Sequence, residues 1–205
     1  MHQSVCICAL MPSVEVRSKL VVLMHFREER KTTNSGRVAA RCLVGSRVLV
    51  RGRPDEPQPS VVGMERPLLL FPHEGAEVLG PQHVAGGPVT LIVPDGNWRQ
   101  ASRMRQRVEG LADAVCVTLP RGAPSRYRLR AEAHEEGLAT AEAIARAYGI
   151  LEGPDVQRAI EAAFSAMVER TLWVRGRVLT EEVTGGIPEG VVRHDPGSGS
   201  PPDLR

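Results

Sequence analysis

The residues best suited to chemistry form the segment Asp95-Gly96-Asn97-Trp98, which follows an apolar run at 91–93 and precedes an arginine-rich stretch. A carboxylate at the end of a buried strand, beside the start of a helix, lies where α/β proteins commonly bind ligands. Asp95 could accept a proton there or hold a polar ring in register, and Trp98 could stack on a flat ring. Two ordinary roles compete, because Asp95 could cap the following helix and Trp98 could pack in the core.

Apolar patterning predicts the elements that position this segment. Short apolar runs bounded by charged or turn-forming residues predict buried strands over 19–26, 47–51, 67–72, 89–93 and 114–119. Helical spacing predicts helices over 35–43, from Trp98 onward, over 140–148 and over 155–173. Buried strands that alternate with helices predict a single α/β domain over 13–184, with a mostly parallel sheet flanked by helices. Residues 185–205, rich in Gly, Pro and Ser, are expected to form a flexible tail.

Positive charge is concentrated in one part of the chain. Between residues 98 and 130 there are eight arginines and two carboxylates, whereas the whole chain of 205 residues has a net charge of only +2. The rest of the chain is therefore net acidic. A localised positive field favours a polyanionic partner, although a solvated helix face next to a basic loop would give the same pattern.

Composition limits the class of protein. Hydrophobic content of 42% and charged content of 24% are typical of a globular domain. No apolar run has the length of a membrane span, and the N-terminus lacks a basic region followed by an apolar stretch, so we expect no membrane association and a cytoplasmic location. The four cysteines do not have the spacing of a secreted disulfide framework, and Cys42 and Cys116 lie in apolar contexts typical of a core.

Six short motifs occur together in one order. They are Thr33-Asn34-Ser35-Gly36-Arg37, Arg51 after a strand, Leu70-Phe71-Pro72, the run Asp95 to Ala101, Tyr127-Arg128-Leu129-Arg130 and Thr140-Ala141-Glu142-Ala143. On these motifs the chain, from about residue 6 to residue 170, resembles the DTW-domain family of tRNA-uridine aminocarboxypropyltransferases. Asn97 stands where the family has threonine. Because Asn keeps a side-chain donor and acceptor of similar reach, we expect the turn to be kept.

The resemblance implies a fold related to the SPOUT class with a knotted C-terminal region, and S-adenosylmethionine as co-substrate. The implied reaction moves its 3-amino-3-carboxypropyl group to N3 of a uridine in tRNA. Asp95 and Trp98 are the implied catalytic residues. The implied co-substrate residues are Asn34, Gly36, Arg37, Leu70, Phe71, Pro72, Asp95, Gly96, Thr140 and Glu142.

Ordinary structural roles compete for several of these residues. Thr140 could be a simple N-cap. Arg37 and Arg51 could each clamp the aminocarboxypropyl carboxylate, although a surface salt bridge explains either one as well. The expected tRNA-binding surface consists of Arg51, Arg99, Arg103, Arg107, Tyr127, Arg128 and Arg130, where phosphate contacts would give salt-sensitive affinity.

The N-terminal segment 1–12 resembles the remnant of a cysteine cluster that many members of the family carry. Only Cys6 and Cys8 remain, with His2 as a third potential ligand, whereas a closed zinc site requires four ligands. We therefore expect no bound metal.

Three other functions stay open at this stage. The first is a SPOUT-class RNA methyltransferase. The second is a non-catalytic RNA-binding module, which the Asn97 departure makes worth keeping. The third is the same transfer to a different acceptor. The sequence does not indicate the oligomeric state.

Overall fold

The computed structural model describes residues 3–125, 127, 129 and 137–193. The strands are β1 (Lys19–His25), β2 (Arg47–Arg51), β3 (Pro67–Leu70), β4 (Glu77–Val78), β5 (Thr90–Asp95) and β6 (Val115–Thr118). They form one six-stranded sheet in the order β2-β1-β5-β3-β6-β4, in which every neighbouring pair is parallel. The predicted single α/β domain with a parallel sheet is confirmed.

The helices are α1 (Phe26–Glu29), α2 (Ser35–Cys42), α3 (Trp98–Ser102), α4 (Met104–Arg107), α5 (Thr140–Leu151) and α6 (Pro154–Val174). Helices α2, α5 and α6 start within one residue of their predicted positions. In the described part of the chain, no helix has the length and apolarity needed to cross a membrane.

Alternation along the strands sorts the core into two layers. In β1, Leu20, Val22 and Met24 point to one face of the sheet, where they pack with residues of α2, α5 and α6. Val21 and Leu23 point to the other face and pack with residues of α4 and of the segment that follows it. Cys42 and Cys116 are buried in these two layers, as predicted.

Parallel pairing places the carboxyl ends of all strands at the same edge of the sheet. β5 ends there at Asp95, its neighbour β1 ends at His25, and β2, on the far side of β1, ends at Arg51. Asp95 pairs with Met24, and His25 pairs with Arg51. The polar residues that end these three strands therefore lie close together at this carboxyl edge.

The prediction of one continuous helix from Trp98 onward is wrong. It divides at Arg103 into the two short helices α3 and α4. Ala101, Met104 and Val108 are buried as the apolar spacing predicts, but Trp98 remains 38% exposed. The single-helix interpretation put Trp98 on the buried face because it assumed one uninterrupted helical period.

The first and last described segments of the chain pack onto the domain. Val5 and Ile7 are buried in the core, and Ile187 and Val191 pack against it. Residues 185–193, assigned from composition to a flexible tail, therefore contact the body of the domain, because two apolar side chains interrupt the Gly and Pro pattern. Residues 194–205 lie outside the described residues.

Arg170 of α6 joins the two ends. It is only 4% exposed, and its guanidinium donates to the carbonyl oxygens of Cys6, Gly185 and Gly186 at 2.5, 3.2 and 2.9 Å. These carbonyls belong to irregular backbone, so they have no helix or strand partner that could replace the guanidinium.

We expect Arg170→Met to lower the free energy of unfolding by about 2–4 kcal/mol, because three partly buried hydrogen bonds from a charged donor are lost. Chemical denaturation measures the loss, and hydrogen exchange should show faster opening of residues 3–10 and 180–193. Arg158→Met is the matched control. Arg158 lies on the same helix in an exposed ion pair with Asp155, so its loss should cost at most about 1 kcal/mol. Equal losses in the two variants would contradict the role given to Arg170.

Candidate active site

The Asp95 carboxylate is the centre of the site. Asp95 ends β5 and is 5% exposed. Its Oδ2 accepts a hydrogen bond from Asn34 Nδ2 at 2.6 Å, and its Oδ1 accepts one from Thr140 Oγ1 at 2.6 Å. Asn34 caps α2, with its Oδ1 accepting from the Arg37 backbone N–H at 2.7 Å, and Thr140 is the first residue of α5. One carboxylate thus joins the ends of three elements, an arrangement that we call the Asp95 latch (Asn34, Asp95 and Thr140).

Gly36 allows the latch to close. A Cβ atom built on Gly36 would lie 3.1 Å from both Cγ and Oδ2 of Asp95, and 3.2 Å from Cγ2 of Thr140. These distances are shorter than normal contacts, so a larger residue at position 36 would push α2 away from the sheet edge. Gly36 thus lets the start of α2 lie close to the Asp95 carboxylate.

Burial controls the protonation of Asp95. Desolvation raises the pKa of the Asp95 carboxyl above its ordinary value, and the hydrogen bonds from Asn34 and Thr140 oppose that rise. A carboxyl with a raised pKa is a stronger proton acceptor when it is ionised. The ordinary role considered for Asp95, a cap on the helix that follows it, is not what the structure shows, since the Asn97 side chain caps α3.

Thr140 and Glu142 hold the start of α5 in different ways. Thr140 is not the N-cap, because the helix is preceded by Ala139 and the Thr140 hydroxyl donates to Asp95. Glu142 is buried, and its Oε2 accepts from the Ala139 backbone N–H at 2.9 Å and from Ser125 Oγ at 2.5 Å. Glu142 therefore fixes the loop after β6 to the start of α5.

Arg37 points away from the latch. Its Nη2 donates to the backbone carbonyl of Glu29 at 3.0 Å, at the end of α1. Arg37 follows Gly36 directly in α2, yet its guanidinium is used to hold α1 in place. The structure does not bring it beside Asp95.

An aromatic pair lies at the same edge of the sheet. The rings of Phe71 and Trp98 have centroids 5.6 Å apart and are tilted by 54°. Trp98 is exposed and Phe71 is half-buried, whereas Leu70 is buried in the core and Pro72 is exposed. The pair offers an open apolar surface of the kind on which a flat heterocycle can stack.

Asn97 keeps the turn closed, as expected. Its Oδ1 accepts from the Gln100 backbone N–H at 2.9 Å, and Gln100 Oε1 accepts from the Asn97 backbone N–H at 2.9 Å. This reciprocal pair is a capping box, which asparagine performs as well as threonine does. Gly96 fits tightly against it, because a Cβ there would lie 2.9 Å from Gln100 Oε1.

The predicted basic surface is only partly assembled. Arg99, Arg103 and Arg107 are exposed, as their spacing predicts, and Arg51 is half-buried at the end of β2. Tyr127 was placed on that surface, and this is wrong. Its side chain is buried, its ring packs on Phe164, and its hydroxyl donates to the Thr33 carbonyl at 3.5 Å. Arg128 and Arg130 lie outside the described residues.

Sequence reasoning missed His25. It ends β1, caps α1 by accepting the Arg27 backbone N–H at Nδ1, and contacts Gln100 Nε2 at 3.3 Å. The signal that singled out Asp95, a polar residue that ends an apolar strand just before a helix, also marks His25.

The N-terminal cysteines are paired. Cys6 and Cys8 form a disulfide, and among the described residues no three His, Cys, Asp or Glu side chains are grouped as a metal site requires. His2 lies outside the described residues. The absence of a bound metal stays a prediction.

A cavity of about 460 Å³ lies between the loop after β6 and the helices α5 and α6. Loop 119–124 covers it, α5 contributes Glu142 and Arg146, and α6 contributes Glu161 and Phe164. Its volume is within the range of small-molecule sites. Asp95 and Trp98 do not line it, so any ligand there would contact the Asp95 latch only through α5.

Comparison with known proteins identifies the family. The six-stranded parallel sheet flanked by helices defines an α/β domain. The family model described as "DTW domain" matches residues 1–172. The chain therefore belongs to the DTW-domain family.

Two curated relatives share its sequence at moderate identity. The protein named tRNA-uridine aminocarboxypropyltransferase 2 from Macaca fascicularis is 29% identical over 162 residues, which are 73% of this chain and 54% of that protein. The protein of the same name from Drosophila melanogaster is 27% identical over 167 residues, which are 76% of this chain and 66% of that protein. The chain therefore spans between half and two thirds of the length of these relatives.

One solved structure is similar in overall shape. It is titled "Structure of the SAM-dependent rRNA:acp-transferase Tsr3 from Vulcanisaeta distributa". The match has a TM-score of 0.48 and 15% sequence identity, and it covers 84% of this chain and 86% of that chain.

The close approach of Gly36 to Asp95 and Thr140 leads to a prediction about stability. We expect Gly36→Ala to lower the free energy of unfolding by about 1–2 kcal/mol, because the added methyl group overpacks the latch. The melting temperature should fall by roughly 2–8 °C. Scanning calorimetry measures both quantities.

Gly149→Ala is the matched control, since it makes the same change inside a helix. The nearest atoms that a methyl group there would meet all belong to the Gln157 side chain, whose flexible amide end can rotate away, while Gln157 Cβ would lie at 3.2 Å. That variant should gain about 0.5–1 kcal/mol from helix propensity alone. If both variants gained stability equally, Gly36 would have no special role in the latch.

Proposed function

We propose that this protein is a tRNA-uridine aminocarboxypropyltransferase, with S-adenosylmethionine as co-substrate and tRNA as partner. The single observation that carries the proposal is the buried, doubly hydrogen-bonded Asp95 in a DTW-domain chain, next to an exposed aromatic pair. The names of the two curated relatives support the reaction, and family membership supports its transfer to this chain. The cytoplasmic location and the knotted C-terminal region stay predictions.

The side chains at the carboxyl edge fit a nucleoside. Trp98 and Phe71 supply a flat apolar surface for adenine or uracil, while Asp95 supplies acceptor oxygens for a ring N–H. Each Asp95 oxygen keeps a second lone pair beyond the one that its latch partner uses. We propose that Leu70, Phe71, Pro72, Gly96, Thr140 and Glu142 shape the co-substrate pocket. Arg37 would act there only through α1 and α2, since its guanidinium is bound to the Glu29 carbonyl.

Asp95 would act on the uridine imide. The co-substrate supplies an electrophilic carbon next to a sulfonium, and uridine N3 is a weak nucleophile until it loses its proton. The proton of N3 passes to the Asp95 carboxylate, the new N3–carbon bond forms, and the carbon–sulfur bond breaks with its electrons going to sulfur. Methylthioadenosine leaves as a neutral product. The latch fixes the carboxylate in one orientation, so positioning costs little when the base arrives.

Isotope labelling tests the reaction class. With S-adenosylmethionine labelled at the methionine carboxyl carbon, label should enter tRNA, and nucleoside mass analysis should show it on uridine. With S-adenosylmethionine labelled at the methyl carbon, tRNA should stay unlabelled. Methyl label in tRNA would identify a methyltransferase instead, and co-substrate binding without label of either kind would identify an RNA-binding module.

The latch also makes a prediction about pH. Thr140→Val removes a hydrogen bond that stabilises the ionised carboxylate, so the pKa of Asp95 should rise further. The ionised form is the proton acceptor, so activity is lost as pH falls through this pKa. The acidic limb of the kcat profile should therefore shift to higher pH in Thr140→Val, and Thr140→Ser should restore it.

Thr171→Val controls for the loss of a buried threonine hydroxyl. The Thr171 hydroxyl donates to the Met167 carbonyl within α6, far along the chain from the latch. Its pH profile should match that of the unmodified protein. A Thr140→Val profile with an unshifted acidic limb would remove Asp95 from the role of proton acceptor.

A further inference from the structure

Arg51 carries a buried donor with no acceptor. Its Nε is shielded from solvent and has no hydrogen-bond partner among the described residues. Arg51 ends β2 at the carboxyl edge, two strands from Asp95 in the sheet order. Strands lie about 4.8 Å apart, so the ends of β2 and β5 are roughly 10 Å apart. A shielded N–H group without an acceptor is costly, and it is rare in folded proteins unless a ligand completes it.

The charges around Arg51 are positive and are not neutralised. Burial, and then the positive charge of Arg107, lower the pKa of Arg51. Burial also lowers the pKa of His25, followed by the charges of Arg51 and Arg27, and only Glu28 opposes them. Each of these effects places like charges near one another.

The neighbouring carboxylates are engaged with other cations. Glu28 pairs with Lys31 at 2.5 Å, and Glu29 pairs with Arg53 at 2.5 Å. Within the described part of the chain, neither Arg51 nor Arg107 forms an ion pair. An anion bound at Arg51 would therefore meet its guanidinium and also feel the positive charge of Arg107, which acts on Arg51.

His25 adds a third donor. Its Nδ1 accepts the Arg27 backbone N–H at 3.2 Å and faces Gln100 Nε2 at 3.3 Å, which favours the tautomer with its hydrogen on Nε2. That Nε2 has no acceptor among the described residues, and it lies 3.7 Å from the position of a Cβ built on Gly52. Gly52, with φ +82°, turns the chain away directly after Arg51, so no side chain at that position covers the donors.

We infer that Arg51, Arg107 and His25 form an oxyanion site that binds a backbone phosphate of the RNA substrate beside the target uridine. This inference rests on the proposed function. Alternation along β1 and β2 puts His25 and Arg51 on the α3 and α4 side of the sheet, whereas Asp95 faces α2 and α5. An RNA strand that crosses the carboxyl edge would present its base to Asp95 and Trp98, with the neighbouring phosphate at this site.

A phosphate suits the site better than the aminocarboxypropyl carboxylate does. Two guanidinium groups and a ring N–H can approach a tetrahedral phosphate from separate directions, whereas a planar carboxylate directs its acceptor lone pairs within one plane. The bridge through Gln100 also ties His25 to the first turn of α3, which begins at Trp98. The site is thus fixed relative to the aromatic pair.

Inorganic phosphate provides the first test, on the unmodified full chain. The melting temperature should be higher in phosphate than in chloride at equal ionic strength, because the anion relieves the repulsion between Arg51 and Arg107. Arg51→Gln should abolish that difference. Arg47→Gln is the matched control, because Arg47 is an exposed arginine at the opposite end of the same strand. A phosphate effect that is the same in all three proteins would overturn the site.

The second test is the salt dependence of tRNA binding. Arg51→Gln should weaken binding and reduce the slope of log K against log salt by about 1, while Arg47→Gln should leave the slope unchanged. The affinity for S-adenosylmethionine should be the same in both variants. If Arg51→Gln weakened S-adenosylmethionine binding and left the tRNA slope intact, Arg51 would bind the co-substrate carboxylate and the phosphate assignment would be wrong.

The outcomes separate this inference from the proposed reaction. Phosphate and tRNA binding that respond to Arg51→Gln, in a protein that transfers no label, would retain the site and reject the transferase. Label transfer to tRNA with a slope unchanged in Arg51→Gln would retain the transferase and reject the site.

Discussion

Two short hydrogen bonds to a buried carboxylate hold the carboxyl edge of this domain together. Asp95 is almost fully removed from water, so its charge depends on the donors of Asn34 and Thr140 for compensation. Those donors stand at the starts of α2 and α5, which pack on the same face of the sheet. The position of both helix starts is therefore coupled to one side chain, and Gly36 is the residue that leaves room for the coupling.

The same edge presents different chemistry on its two faces. The face that carries α2 and α5 holds the latched carboxylate. The face that carries α3 and α4 holds the exposed aromatic pair and Arg51, whose Nε has no acceptor among the described residues. The ionised Asp95 carboxylate is negative, and the anion-binding site is positive. The two would neutralise each other if they were in direct contact. The sheet keeps them apart and still within the reach of one polynucleotide. On that second face, Gln100 of the α3 capping box contacts His25 and so connects α3 to the end of β1.

Sequence patterning predicted the elements with long apolar signals and missed the short ones. The β-branched run in β1 and the apolar stripe of α6 are long enough to predict a strand and a helix. In contrast, β4 (Glu77–Val78) has only two residues, both exposed, and α1 has a single turn, so neither carries a recognisable apolar pattern. Motif order identified Asp95, Asn34 and Thr140 as site residues, but Asn34 lies 61 residues from Asp95 and Thr140 lies 45. No local pattern encodes these contacts, because the parallel crossovers create them. Tyr127 was misplaced for the same reason, since the packing of α6 decides its burial.

The most direct test of this account is the titration of Asp95 itself, followed by the carbon-13 resonance of its carboxyl group in the folded protein. Burial should outweigh the two hydrogen bonds, so the midpoint should lie above the value of about 3.9 for an ordinary aspartate. Folding would then favour the protonated carboxyl, and its contribution to stability would be lost as pH rises through the folded pKa. A midpoint at or below the ordinary value would show that solvent or the hydrogen bonds outweigh burial, and would contradict Asp95 as a buried carboxyl with a raised pKa that accepts the uridine proton.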